Sequence, residues 1–244
     1  MIQSPFANMP PVVKNLLIIN IICFLPSLFY SHGFAQEGFD PVASAFGVYY
    51  FDSPHFRVWQ PLTYMFLHGG WMHIIFNMFA LYSFGTAIEY IMGSKRFFNF
   101  YFICGFGAIA FQMLVQAIEV HSITGAFTLA NPGSDSSYLQ YGLANAQKLY
   151  GIYNGDMVGA SGAIFGILIA FGMIYPNAEL MIMFIPVPVK AKYIIPVYVV
   201  AEIFLGVGQF GGDNVAHFAH LGGAILGFLL VKLWRLQGPG NYYN

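Results

Sequence analysis

Val158-Gly159-Ala160-Ser161-Gly162-Ala163-Ile164-Phe165-Gly166-Ile167-Leu168-Ile169-Ala170-Phe171-Gly172-Met173-Ile174-Tyr175 is apolar throughout except for one serine. A helix of that length suits a hydrocarbon core of about 30 Å. The serine stands near its head, close to three glycines, and two readings are open. Gly162 and Gly166 form a small-xxx-small pair, so Ser161 can be a back-bonded residue on an ordinary packing face. Alternatively Ser161 is a nucleophile at a helix start, where its own N–H is an unpaired donor able to meet an oxyanion. Flanking glycines would let a second backbone or a substrate come close. The soluble-hydrolase elbow G-x-S-x-G does not fit, because Ala163 stands where its last glycine would be.

Outward from this stretch, the composition is that of an integral membrane protein. Charged residues make up 8% of the chain, against about 25% in an ordinary soluble domain. Aromatics reach 18% and mean hydropathy is +0.65. A net charge of −1 with no basic tract argues against a nucleic-acid partner. Cys23 and Cys104 lie inside apolar runs and are expected as free buried thiols.

Hydropathy marks six candidate spans, at residues 12–29, 71–92, 97–118, 158–175, 193–210 and 215–234. The predicted fold class is therefore an all-α integral membrane protein, a six-transmembrane-helix bundle forming one domain over residues 1–244. The first span lacks a following small-x-small cleavage site, so it reads as a helix and not a signal peptide. Residues 31–70 are too long and too aromatic for an idle linker. Residues 119–157 read as a Gly/Ser/Asn-rich loop with a turn at Asn131-Pro132-Gly133-Ser134-Asp135, and its role is not legible. Leu180 to Val189 is short and broken by Pro186 and Pro188, which predicts a connection. Gly211-Gly212-Asp213-Asn214 supplies a turn and a cap before the last span.

With the N-terminus cytoplasmic, the inner side collects Lys14, Lys95, Arg96, Lys190, Lys192, Lys232 and Arg235, and the outer side only Arg57 and Lys148. That bias places both termini in the cytoplasm. Spans two, four and six then start at the outer surface. At 1.5 Å per residue, His73, Ser161, His220 and Asn77 lie roughly 3, 5, 7 and 9 Å below their span starts. A nucleophile, a base and two side-chain donors at one depth are the parts of an acyl-transfer site. Chance placement near the interface is the competing reading. Spacing does not choose between His217 and His220 as the base.

Three motifs carry a family resemblance. Trp59-Gln60-Pro61-Leu62-Thr63-Tyr64-Met65-Phe66-Leu67-His68-Gly69-Gly70-Trp71-Met72-His73-Ile74-Ile75-Phe76-Asn77 resembles the first loop and second helix of rhomboid intramembrane serine proteases. Gly159-Ala160-Ser161-Gly162 matches their G-x-S-G, and Ala219-His220-Leu221-Gly222-Gly223 their A-H-x-G-G. Gly85-Thr86-Ala87-Ile88-Glu89 is similar to a further family segment, where Glu89 would tie down a loop.

The resemblance implies a rhomboid-like bundle that cleaves transmembrane or membrane-adjacent segments of other membrane proteins through a Ser161–His220 dyad. His73 and Asn77 would stabilise the oxyanion, with His217, Phe165, Gly159 and Gly162 in supporting roles. It implies no cofactor and no metal; the partners would be transmembrane protein substrates and the lipid bilayer. The location expected is a bacterial plasma (inner) membrane. The chain departs from the family at Gln60, often arginine there, and at Phe165, usually a tyrosine stacked on the histidine.

The remaining polar residues have plainer readings. His68 reads as a loop anchor, and His32, His55 and His121 as loop residues with no evident partner. No carboxylate is obviously placed to orient His220. Glu202, near mid-span, is a functional candidate by default, but it reads as a protonated or hydrogen-bonded carboxyl facing the bundle. His73, His217 and His220 could be imagined as metal ligands, yet no H-E-x-x-H frame supports a zinc protease. A non-catalytic rhomboid-like protein would lack the serine or the histidine. A channel or transporter would need broken helices or a midplane charge path, for which only Glu202 is available.

Overall fold

The first helix, α1 (Pro11–Ser31), starts where a carboxylate from another span meets it. The first N–H groups of a helix have no partner within it. Here Val12 N–H donates to Glu89 Oε1 at 3.0 Å and Val13 N–H to Glu89 Oε2 at 2.7 Å. Ser94 Oγ also donates to Oε1, at 2.7 Å. Glu89 is thus structural, but it holds two helix starts and not a loop. The computed structural model describes residues 9–31, 40–182, 185–208 and 215–238.

A short α2 (Pro41–Phe46) follows, capped by the Asp40 carboxylate. The loop then passes α3 (Gln60–Thr63) and a 3₁₀ turn (Tyr64–Phe66). The second span is one helical rod in three pieces: α4 (Trp71–Ala80), a π turn (Leu81–Gly85) and α5 (Thr86–Met92). Gly85 lies in the wide turn, where an added Cβ would meet Val13 at 3.2 Å and Phe97 at 3.4 Å. Its bareness lets α1 and the next helix, α6 (Ser94–Thr124), pack there.

That third helix outruns its expected span and ends at Gly125, whose φ of +77° is a left-handed helix stop. Residues 119–157 therefore differ from the loop expected of them. After the 131–135 turn come α7 (Asp135–Leu139) and α8 (Leu143–Asn154). Together with Tyr50 and Val120 they bury Tyr138, Leu149, Ile152 and Tyr153 in a second apolar cluster, separate from the main core. Tyr50 OH donates to Phe127 C=O, and Tyr153 OH to Asp52 Oδ2, each at 2.8 Å. The segment is a folded cap tied to the first long loop.

The serine helix, α9 (Ser161–Ile174), begins three residues later than its apolar run. Between it and α10 (Ala191–Gly208) runs an antiparallel hairpin, β1 (Glu179–Ile182) and β2 (Ile185–Lys190). The sequence predicts only a connection there. The prolines that exclude a helix are tolerated in a two-stranded ribbon, because both strands are edges. The last helix is α11 (His217–Leu233); the expected turn and cap at 211–214 lie outside the described residues.

Among the described residues, four helical stretches are long and apolar enough to cross a membrane: Pro11–Leu28, Trp71–Met92, Ser94–Thr124 and Ala191–Gly208. The two remaining apolar helices, Ser161–Ile174 and His217–Leu233, are shorter. The chain is thus a multi-pass membrane protein, and among the described residues its regular structure is helical apart from the hairpin and one Val48–Met157 bridge. Large apolar side chains lie exposed on α1 (Ile22, Leu25) and α10 (Val200, Phe204), as a lipid-facing surface requires. Helix α9 is the centre, with Ala163, Ile167 and Ala170 fully buried. It meets α11 backbone to backbone. A Cβ on Gly223 would strike the Gly162 carbonyl, and one on Gly227 would come within 2.6 Å of Gly166 Cα.

Candidate active site

Three backbone contacts build the turn that delivers Ser161. Met157 and Val48 exchange N–H···O bonds of 2.9 Å in both directions, and Gly159 N–H donates to Tyr64 C=O at 2.9 Å. Tyr64 is fixed in turn by its hydroxyl, which donates to Gly105 C=O at 2.7 Å. Gly159 has φ +136°, a conformation side chains rarely adopt. A Cβ there would also lie 2.8 Å from His73 Nε2. The first glycine of the motif therefore stops helix formation and gives His73 room. Helix α9 begins at Ser161, leaving the serine N–H among the unpaired donors of a helix start.

Ser161 Oγ is 2.8 Å from His220 Nε2. The His220 ring stacks on Phe165, with centroids 4.3 Å apart and planes at 9°. Phe165 lies in turn against Tyr198 of α10. The phenylalanine thus keeps the ring packing without a hydroxyl. Gly162 supplies clearance of another kind, since a Cβ there would collide with Ala108.

His73 and Asn77 lie on the facing helix α4, one turn apart. His73 Nδ1 accepts the Gly69 N–H at 3.3 Å. The imidazole proton of the neutral ring is then on Nε2, the atom facing the Gly159 turn. Asn77 is buried, and among the described residues its Nδ2 has no hydrogen-bond partner. Two donors are therefore available beside the serine. His68 packs edge-on against His73 with centroids 5.0 Å apart. Burial, with a smaller contribution from His73, pushes the His68 pKa down to about 3, so it stays neutral at physiological pH.

The expectation that no carboxylate reaches His220 is corrected here. Glu202 Oε2 lies 2.9 Å from His220 Nδ1 and 2.6 Å from His217 Nδ1. Its side chain is 6% exposed. The signal in the sequence was only that a carboxylate stands in a span; nothing in its spacing connected it to the two histidines. Glu202, His217 and His220 offer ligand atoms within 4.8 Å of one another, a set that could hold a cation. At 2.6 and 2.9 Å the three groups already satisfy each other by hydrogen bonding. His73 is not part of that set.

A cavity of about 1870 Å³ contains Ser161, His220, His73 and Asn77. Phe76 and Ala80 of α4 and Val197, Tyr198 and Ala201 of α10 form its walls, and Asp40 and Asp156 reach it from the loops. Burial, reinforced by the charge of Asp40, raises the Asp156 pKa.

Gln60, in the position where arginine is common, is fully buried and closes its own loop. It accepts Arg57 N–H at 2.8 Å and donates to His55 C=O at 3.1 Å. His55 lies against Tyr49, and His121 belongs to α6 and stacks on Phe127, so neither is an idle loop residue. His32 lies outside the described residues. Both cysteines are free.

The family model described as Rhomboid domain matches residues 55–236. The mitochondrial Rhomboid protein 1 of Saccharomyces cerevisiae is 27% identical, covering 73% of this chain and 45% of its own. Rhomboid protease GluP of Bacillus subtilis is 31% identical over 75% of this chain and 27% of its own. Rhomboid protease AarA of Providencia stuartii is 30% identical over 70% of this chain and 54% of its own. The chain thus spans roughly a quarter to a half of these relatives' length.

Proposed function

Because this chain belongs to the rhomboid family, we propose that it is an intramembrane serine endopeptidase acting on transmembrane or membrane-adjacent segments of other membrane proteins. The observation that carries the proposal is the 2.8 Å approach of Ser161 Oγ to His220 Nε2 inside a cavity walled by apolar helices. Two relatives named as rhomboid proteases support the reaction class.

His220 Nε2 takes the Ser161 proton as the serine oxygen attacks a substrate carbonyl. The oxyanion receives the Ser161 N–H, the Asn77 Nδ2–H and the His73 Nε2–H. His220 then protonates the leaving amine, and the peptide bond breaks. Water entering past Asp40 and Asp156 attacks the acyl ester with His220 again as base, releasing the new carboxylate and restoring the serine. Phe165 holds the imidazole flat throughout.

The bundle that performs this would be a single domain of six spans, the two short helices α9 and α11 included, with both ends in the cytoplasm. The gap between α4 and α10 is the route for a substrate segment arriving from lipid. The bilayer and membrane proteins are its partners, and a bacterial inner membrane is the proposed location, although relatives named as mitochondrial place the family in more than one compartment.

The test is to incubate the detergent-purified protein with a fluorophosphonate probe and with a model transmembrane substrate. Wild type should be labelled and should cleave. Ser161→Ala should do neither while still inserting and folding. Cleavage by that variant would remove serine catalysis from consideration.

A further inference from the structure

We infer that Glu202 is the positioning residue for His220, selecting the tautomer that can take the serine proton, with His217 holding the carboxylate in place. The inference rests on the protease reading above and deepens it, replacing a two-residue arrangement with a relay across α9, α11 and α10.

The argument starts from the sharing of one oxygen. Glu202 Oε2 is within hydrogen-bond distance of two Nδ1 atoms, at 2.6 Å for His217 and 2.9 Å for His220. A carboxylate offers only acceptors, so both imidazoles must present Nδ1–H to it. A neutral His220 with its proton on Nδ1 has a lone pair on Nε2. That is the nitrogen 2.8 Å from Ser161 Oγ. The opposite tautomer would point an N–H at the serine and could accept nothing. The stacked Phe165 fixes the plane of the ring but does not choose its tautomer. Glu202 does.

Its second effect comes during the reaction. Once His220 Nε2 has taken the proton, the ring is an imidazolium with only 12% of its side chain exposed. A carboxylate already in place stabilises that charge without reorganising. The cavity itself holds no other carboxylate as close to the ring among the residues whose contacts are described.

The backbone is arranged for this contact. His217 and His220 stand three residues apart at the start of α11, so both rings can reach one point on α10. Gly206 follows Glu202 by one turn, and a Cβ there would lie 3.1 Å from the His217 Cβ and 3.3 Å from the Phe218 ring. A bare position on α10 thus lets the start of α11 approach. His217, itself buried, supplies the second donor that keeps Oε2 pointed at His220.

The experiment measures kcat and KM on the model transmembrane substrate for wild type, Glu202→Gln, Glu202→Asp and Ser161→Ala. Glu202→Gln keeps the shape but removes the charge. It should lower kcat by up to roughly 10⁴-fold, the loss seen when the third member of a serine-protease triad is neutralised, with KM changed less than about threefold. Glu202→Asp, a carboxylate one methylene shorter, should recover part of kcat. A Glu202→Gln protein with wild-type kcat, beside an inactive Ser161→Ala, would overturn the inference and leave the protease reading intact. An active Ser161→Ala would instead overturn the reading beneath it. If Glu202→Gln does not fold, ¹⁵N-histidine spectra of the wild-type protein in micelles decide. An Nδ1–H, unprotonated-Nε2 signature for His220 near neutral pH is expected, and an Nε2–H signature would overturn the inference.

Discussion

Two histidines share the first turn of α11, and only their contacts separate their roles. His220 presents Nε2 to Ser161 Oγ at 2.8 Å and has its ring against Phe165. His217 presents Nδ1 to Glu202 at 2.6 Å. On the proposed mechanism His220→Ala removes the base and should cut activity by several orders of magnitude. His217→Ala removes one of two donors to the carboxylate and should cost on the order of tenfold. Turnover of the two purified variants on one substrate checks the ranking, and the reverse order would make His217 the base. In the sequence the pair is ambiguous by spacing, and only the motif Ala219-His220-Leu221-Gly222-Gly223 distinguishes them. Glu202 was less legible still. Its identity as an intramembrane carboxylate could be read, but its partners lie across a chain reversal that no periodicity encodes.

The helices show the same division. Glycines four apart, Gly162 with Gly166 and Gly223 with Gly227, can be read from the sequence as small-residue faces just below the serine and the histidine. The structure pairs them, Gly223 on the Gly162 carbonyl and Gly227 on Gly166. Without an apolar driving force between helices in lipid, such close packing is a main source of attraction. Here it also holds α9 and α11 at the spacing that Ser161 and His220 need. Gly227→Val would force the helices apart one to two turns below the site. It should sharply reduce cleavage and fluorophosphonate labelling and lower the melting temperature in detergent, since overpacking typically costs about 1–3 kcal/mol. Normal cleavage with unchanged melting would show that this contact does not set the Ser161–His220 distance. The true start of α9 was not legible in the same way. Val158 to Tyr175 reads as one apolar run, and the helix stops short of its head because Gly159 takes φ +136° beneath His73. That constraint comes from a different span. The hairpin and the cap helices α7 and α8 were likewise hidden, because short elements stabilised by tertiary contacts carry weak patterns of their own.

At the scale of the whole molecule, charge and water access must agree about which side is outside. The inner side of the proposed topology holds seven of the nine lysines and arginines, including Lys190 and Lys192 at the hairpin end. The two outer ones are both engaged locally. Arg57 Nη1 donates to Pro54 and Phe56 carbonyls, and Lys148 pairs with Glu119 at 2.8 Å. Basic residues near an anionic inner leaflet each contribute about 1 kcal/mol to holding their side in place. Asp40 and Asp156 line the cavity around Ser161, and Asp156 closely follows the last helix of the folded cap. Hydrolytic water would therefore come from the outer compartment, and the cap stands beside its path. A reporter fused after Asn244 should read cytoplasmic. A reporter inserted at Ser134, in the exposed turn before α7, should read external. Ser134 is a suitable site because it is itself exposed and takes no part in the buried cluster of the cap. If both reporters reversed, the serine would face the cytoplasmic side, and the positive-inside argument would fail together with the proposed path of water. If both read external, an odd number of spans would be required, and one of the short helices α9 and α11 would not cross.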